Sequence, residues 1–456
     1  MISVATHGAT GDGETDDRAA ILTAIAALST TDRELFFPPG RYKVSKYVPI
    51  SGVDGLLIRG QGATILHQSA DTGISTDATA TSNAMARAGL LAIDCDDLVI
   101  RDLQFEGDSA QVDINVNVGV GVYLRNCLRA RLENLRNWYG GALLNQDNQS
   151  GDVGLRLVGS GSYGARGNVT TGSDAVIEGC RFELPTDSGY HRSGNNGSSH
   201  AVYLFGGRTN VRIAGCTFRN IRKSGVKGSG SASPLRDLSV SGCVFIDCGN
   251  GVLWGADDAQ EHTGLLIEGC TFVDCGTNIT GWTDGAAITV YGSDATIIRG
   301  NVIRYTRACL GTVAAVKGIQ VQTYPSGRQC RGVLVAGNLL VADVGLTAPD
   351  SIVTHGIYAY DVDDLAIRDN AIINVSGLAL FLYDTPRAVV SGMDISNAVT
   401  AGRLELSPGC TFRNVAIKRG AQTSTNPLIV QVTSPNLAQE DSYVIASDGS
   451  RSKLIV

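Results

Sequence analysis

The sequence predicts an all-β solenoid, a single-stranded parallel β-helix with an α-helix capping its N-terminal end. Three observations predict it. Segments 210–220 (NVRIAGCTFRN), 237–247 (DLSVSGCVFID) and 264–274 (GLLIEGCTFVD) superpose: Ile213, Val240 and Ile267 stand 27 residues apart, as do Cys216, Cys243 and Cys270, and Phe218, Phe245 and Phe272. A fixed period with matched apolar phases marks stacked units, each burying its face against its neighbours. The spacers carry no helical periodicity but a second short strand, Gly225 to Lys227 and then Gly251 to Trp254, so a rung reads strand, turn, strand, turn. Glycine is abundant (56 of 456 residues), as many tight corners require.

Composition narrows the partners. Net charge is −7 with both signs interspersed, and no basic stripe of the kind that binds nucleic acid appears. No run of 18 apolar residues exists, so no membrane insertion is expected, and the first residues show no signal-peptide pattern. The eleven cysteines include two C-x4-C pairs, Cys243 with Cys248 and Cys270 with Cys275. The repeat itself generates both pairs, so reduced, buried thiols stacked in interior rows are expected, with no bound metal.

In chain order, residues 8–28 open with turn residues and become a helix with Thr15 or Asp16 as its cap. Asp16 and Asp17 suit the positive end of its dipole, and Ile21, Leu22, Ile25 and Leu28 form its apolar stripe. A strand, a Pro-Gly corner and another strand follow over 34–44. Such a helix would cover the open end of the first rung. This stretch, GATGDGETDDRAAILTAIAAL followed by LFFPPGRYKV, resembles the opening of the pectate-lyase superfamily of right-handed β-helices. Its members include polygalacturonase-related hydrolases, polysaccharide lyases, uronate epimerases and bacteriophage tailspike depolymerases. The resemblance implies a right-handed coil and action on a polysaccharide. It extends in repeat style to about residue 396.

Further rungs are read at 56–65, 97–108, 129–139, 174–184, 295–305, 332–343, 364–374 and 388–396. Asn301, Asn338 and Asn370 share one corner, where their amides are expected to stack. Segments 66–90 and 184–199, rich in Ser, Thr, Asn, Asp and Gly, read as surface loops. The expected organisation is a cap over 1–45, the β-helix over 46–400 and a C-terminal cap or oligomerisation segment over 401–456.

Chemistry is expected on the second strand of each rung, where side chains alternate in and out. Aligning these strands gives an outward row of Tyr123, Tyr203, Lys227, Leu253, Ala287, Gln320, Tyr358 and Ala379. Two residues on come Phe205, Thr289, Gln322, Tyr360 and Phe381, and beyond them Tyr291, Tyr324 and Tyr383. So many rings on a solvent-facing stripe suggest a groove in which sugars stack on aromatic faces. Tyr203, Lys227, Gln320, Tyr358, Tyr360 and Tyr291, with His200, are the candidate substrate-binding residues.

The row just before these strands reads His200, Ser224, Asn250, Asp284, Lys317 and His355. Trp282, Thr283, Asp284 and Gly285 resemble the Asn-Thr-Asp-Gly motif of polygalacturonase-type hydrolases, and Thr354, His355 and Gly356 resemble their Gly-His-Gly motif. The rung between should carry two aspartates and carries Val316, Lys317 and Gly318 instead. An inverting hydrolase needs two carboxylates roughly 6.5–9.5 Å apart. With Asp284 as the first, the second is expected from Asp257, Asp258 or Glu261, and Lys317 and His355 bind or polarise the sugar.

In the alternative, β-elimination from a uronic-acid polymer, Lys227 or Lys317 serves the developing enolate and His200, Tyr203 or His355 the proton. For that reaction the resemblance allows calcium as a cofactor, although no dense acidic cluster calls for it; hydrolysis needs none. A non-catalytic polysaccharide-binding spike needs only the groove. The resemblance to tailspikes implies a homotrimer on a virion tail or outside a cell, and a cytoplasmic bacterial enzyme fits the same composition.

Overall fold

A computed structural model describes residues 1–67, 88–107, 120–139, 152–158, 174–183, 199–205, 209–221, 224–229, 234–255, 262–277, 285–306, 315–323, 328–343, 353–398, 400–418, 428–430, 438–440, 443–445 and 451–453. The chain divides into two compact units, Met1–Leu238 and Ser239–Val456. Apart from Ala88–Leu90 and the end of the strand Leu57–His67, the segments read as loops at 66–90 and 184–199 lie outside the described residues, save Ser199.

The first unit begins with the short strand Ile2–Ser3 and a 3-10 turn over Ala5–His7; the strand Asp12–Asp16 follows, where turn residues were expected, and pairs in parallel with Gly40–Val44. The helix Arg18–Ala26 follows. The N-cap position falls on Asp17, not on Thr15 or Asp16 as expected, and no side chain caps the helix; Asp16 Oδ1, one residue earlier, accepts the Arg18 N–H at 3.1 Å. Asp17 turns back instead: 1% exposed, its carboxylate accepts Thr10 N–H, Thr10 Oγ1 and Gly11 N–H at 2.6, 2.9 and 3.0 Å. Those three donors hold the loop before the strand against the helix start. Ile21 and Ala24 are the buried helix residues; Leu22, Ile25 and Leu28 are only half-buried, so the apolar stripe is narrower than expected.

In each unit most rungs carry three parallel strands, one more than the sequence reading allowed. The segment 264–274, for example, is not one strand but two, His262–Glu268 and Thr271–Val273. The break comes at Gly269, whose φ of 60° lies in the left-handed region that glycine enters without steric cost; Asp369 holds the same corner of a later rung at φ 53°. Gly242, Gly300 and Gly337 repeat it in the second unit, at φ 57°, 63° and 62°. Alternation of side chains is thereby reset at each corner. Leu265 and Ile267 point inward before it, and Cys270 and Phe272 after it, all at most 1% exposed.

The interior is built of rows of like side chains. Phe182 and Phe218 stack at 5.1 Å in the first unit, and Phe245 and Phe272 at 4.7 Å in the second, each pair within 4° of parallel. In the second unit the corner row reads Cys243, Cys270, Asn301, Asn338, Asn370. Asn338 Nδ2 donates to Asn370 Oδ1 and to Ile298 O, while its Oδ1 accepts from Asn301 N and Nδ2, all between 2.9 and 3.0 Å. Cys270 N–H continues the row by donating to Asn301 Oδ1, and Cys243 N–H donates to Cys270 Sγ. The ten described cysteines are buried, with no disulfide among them.

Past residue 400 the rungs continue as Thr400–Glu405, Thr411–Arg413 and Ala416–Lys418. Among the described pairings the only antiparallel one joins Tyr443–Ile445 to Arg451–Lys453.

Candidate functional site

In the second unit, the strands Asn250–Trp254, Gly285–Tyr291, Ala315–Gln322, Val353–Tyr360, Leu378–Tyr383 and Thr400–Glu405 pair side by side in parallel. Register assigns each position its row. Leu253, Thr289, Gln320, Tyr358, Phe381 and Arg403 form one outer row. Tyr291, Gln322, Tyr360, Tyr383 and Glu405 form the next. Ala287 and Ala379, expected in the first of these, belong elsewhere. They are fully buried in an inward row with Gly251, Gly318 and Gly356, packed against Phe272, Leu340 and Ile372. A side chain on Gly318 would collide with Leu340 Cδ2, and one on Gly251 with the Phe272 ring. Small residues occur there because a larger neighbour fills the corner. In runs such as Gly-Ala-Ala-Ile they leave no apolar alternation from which to read phase.

The first outer row is not solvent-facing, as the groove reading required. Leu253, Thr289 and Gln320 are at most 4% exposed, Phe381 is buried and Tyr358 half-buried; only Tyr360, in the next row, is exposed. Several ring faces are also taken by neighbours. Tyr358 carries Phe381 on one neighbouring strand at 4.6 Å and the Lys317 Nζ on the other at 4.4 Å. Tyr360 and Tyr383 stack in parallel at 4.7 Å, and the Arg403 guanidinium lies 6.0 Å from the Phe381 centroid. Rings stacked along a ladder spend their faces on one another. What the ladder offers outward is ring edges, phenol oxygens, amides and charges.

Lys317 and His355 are directly in register and form the polar end of the site. Tyr305 Oη donates to the Lys317 carbonyl at 2.9 Å, tying that strand to the rung interior. His355 Nδ1 accepts the Leu378 N–H at 2.9 Å, so the proton of a neutral ring resides on Nε2. Burial, and then the Lys317 charge, push its pKa down to about 4. His355 is therefore neutral near pH 7, a hydrogen-bond donor beside a cation. Gln320 Nε2 donates to Gln322 Oε1 at 2.7 Å, whereas its own Oε1, fully buried, has no partner. Tyr291 is half-buried at the end of its strand.

The residue in register with Lys317 on the preceding strand is Ala286, and Gly285 pairs with Val316. Asp284 therefore does not share the phase of Lys317 and His355, as expected, but precedes it by two residues. Asp284 itself, with Asp257, Asp258 and Glu261, lies outside the described residues, as do Trp282, Thr283 and Tyr324. Arg403 and Glu405, ion-paired at the far end of the ladder, were missed. The match of the TAGRLE stretch, 400–405, to LALFLY, 378–383, was the available signal.

The first unit holds the remaining candidates. His200 and Tyr203 lie three residues apart on Ser199–Phe205, their rings 5.5 Å apart. Lys227, opposite Tyr203 on Ser224–Ser229, sets its Nζ 5.3 Å from that ring. Tyr123 is buried at 2% exposure.

A family model described as right-handed β-helix region matches residues 54–323. One described as rhamnogalacturonase A/epimerase, pectate lyase-like, matches residues 1–105. No curated protein matches the sequence. Among solved structures, the chain is similar to PfbA, a surface adhesin of Streptococcus pneumoniae, at 14% identity and a TM-score of 0.55, covering 100% of this chain and 95% of that one. It is similar to a family 28 exopolygalacturonase of Yersinia enterocolitica at 11% identity and a TM-score of 0.57, covering 91% and 77%. Tailspike protein 3 of bacteriophage CBA120 matches at 12% identity and a TM-score of 0.55, covering 99% of this chain and 62% of the tailspike. At such identities the likeness is one of fold.

Proposed function

The chain belongs to the right-handed β-helix family, and on that premise we propose that it cleaves glycosidic bonds of an acidic polysaccharide from a bacterial surface or extracellular matrix. The observation that carries this reading is the Lys317–His355 pair at the end of a ladder of phenol and amide edges. A cation beside a neutral imidazole donor suits a sugar carboxylate, because both groups donate and one carries the opposite charge. The ladder of Gln322, Tyr360, Tyr383 and the Arg403–Glu405 ion pair suits a chain of hydroxyls.

Hydrolysis is the reaction proposed. Asp284 acts as one carboxylate, and Asp257, Asp258 or Glu261 as the other; these roles rest on the sequence. Incubation with acidic and neutral bacterial polysaccharides tests the reading. New reducing ends without the ultraviolet band of an unsaturated uronate support hydrolysis of an acidic chain. Cleavage confined to neutral polymers refutes the role of Lys317 and His355.

One observation favours elimination as a second reading. Lys317, in register with His355, supplies the cation that elimination needs for an enolate formed on a uronate. The unsaturated product then appears in the same assay. Retention on the polymer with no product identifies a binding spike instead. The tailspike resemblance carries with it a trimer outside the cell or on a virion, which sedimentation of the purified chain tests.

A further inference from the structure

We infer that a second copy of this chain docks on the outer face of the second unit, antiparallel to the first, about a two-fold axis between Ile297 and Leu334. Leu266, Ile297, Leu334 and Ala366 stand in register on the paired strands His262–Glu268, Ser293–Arg299, Cys330–Ala336 and Val362–Arg368. The residues next to them, Ile267, Ile298, Val335 and Ile367, are fully buried in the interior, whereas these four point outward and are only half-buried.

The fold does not require an aliphatic row there. At the same phase, three residues before the corner, the first unit carries Val99, Arg131, Val176 and Arg212, and both arginines are exposed. A face that can carry arginine, yet carries leucine and isoleucine on successive rungs, marks a contact surface. Each of the four strands is paired on both sides, so no backbone edge is free and the partner meets side chains alone.

The charges flanking the row point to the partner. One flanking column reads Thr263, Asp294, Arg331, Asp363, and the other Glu268, Arg299, Ala336, Arg368. A two-fold axis lying along the strands keeps each column facing itself and reverses the order of the rungs. With that axis between Ile297 and Leu334, each of the two meets the other across the interface, and Leu266 meets Ala366. Asp294 then faces Arg331, Glu268 faces Arg368 and Thr263 faces Asp363, so no like charges oppose. Arg299 falls opposite Ala336, beside a trough of about 560 Å³ lined by Gly269, Gly300 and Gly337, where a long side chain has room. The Glu268–Arg299 ion pair within the chain, at 2.7 Å, is solvent-accessible and worth little, so its exchange for Glu268–Arg368 is inexpensive.

Sedimentation equilibrium of the full chain at rising concentration tests the inference, and circular dichroism verifies that each variant folds. The wild type is expected to form dimers, and Ile297→Asp, which sets two carboxylates at the axis, to remain monomeric. Glu268→Arg or Arg368→Glu alone opposes like charges twice per dimer and is expected to weaken pairing by about tenfold or more. Mixing these two variants is expected to restore it, because every such contact then joins opposite charges; local damage from either substitution is not repaired in this way. A monomeric wild type, a trimer of the kind the tailspike resemblance carries, a dimer that Ile297→Asp leaves intact, or no recovery on mixing overturns the inference. None of these outcomes bears on the polysaccharide reading, which rests on Lys317 and His355.

Discussion

The neutral state of His355 has a measurable consequence for stability. Burial, then the Lys317 charge, takes its pKa from an ordinary 6.5 to about 4. Between these two values the unfolded chain binds a proton on this residue and the folded chain does not. The contribution is therefore complete above pH 6.5 and is lost as pH falls toward 4. At 1.36 kcal/mol per pH unit the full loss is about 3 kcal/mol, an upper figure because His355 is half-buried rather than fully enclosed.

His355→Asn removes the titration while leaving an amide oxygen to accept the Leu378 N–H. Urea unfolding of both proteins across this pH range isolates the contribution, because the buried His67, also pushed down to about 4, titrates in both and cancels. Wild type is expected to lose roughly 2–3 kcal/mol more than the variant on acidification. Lys317→Met, by removing the second cause of the shift, should raise the His355 pKa and shrink the loss, which the imidazole proton resonances report directly. Parallel curves for wild type and His355→Asn would refute the neutral, buried imidazole, and with it the donor role assigned to Nε2.

The other predictions concern chemistry, the corner row and the thiols. Asp284→Asn is expected to leave folding and polysaccharide retention intact and to lower cleavage by several orders of magnitude, as loss of a group acting in the transition state does; near wild-type rates exclude Asp284 as the carboxylate. Asn338→Leu breaks four buried side-chain hydrogen bonds and orphans Asn301 N–H and Ile298 C=O, so about 4–6 kcal/mol of stability should be lost in urea unfolding. A loss near 1 kcal/mol means that the row relaxes around the gap. Cys270, whose thiol pKa is raised by the neighbouring Cys243 and by burial, and Cys275, raised by burial and then by Cys248, should resist alkylation in the folded protein and react fully in denaturant.

The solenoid was legible because its evidence repeats. Phe245 and Phe272 fall at one phase, and the structure stacks them face to face. The asparagine row was legible for the same reason: a polar residue recurring at an otherwise apolar corner has to satisfy itself along the row. The third strand of each rung was not legible, because Gly269 and its counterparts read equally well as a residue within a strand and as a corner. Only their positive φ, a backbone property, separates the two.

Phase along the second strands was legible where large apolar residues alternate, as in Gly318 to Val321, and failed where alanines and glycines crowd together. That failure bears on the chemistry. Ala286, not Asp284, stands in register with Lys317 and His355, so among the described residues this row supplies a cation and a neutral donor but no carboxylate. Hydrolysis must then draw both of its carboxylates from outside the row, which serves only to hold the substrate. Elimination would draw its enolate stabiliser from within it. Lys317→Met therefore separates the two. A group that binds ground state and transition state alike changes KM and spares kcat, whereas one that stabilises an enolate lowers kcat itself.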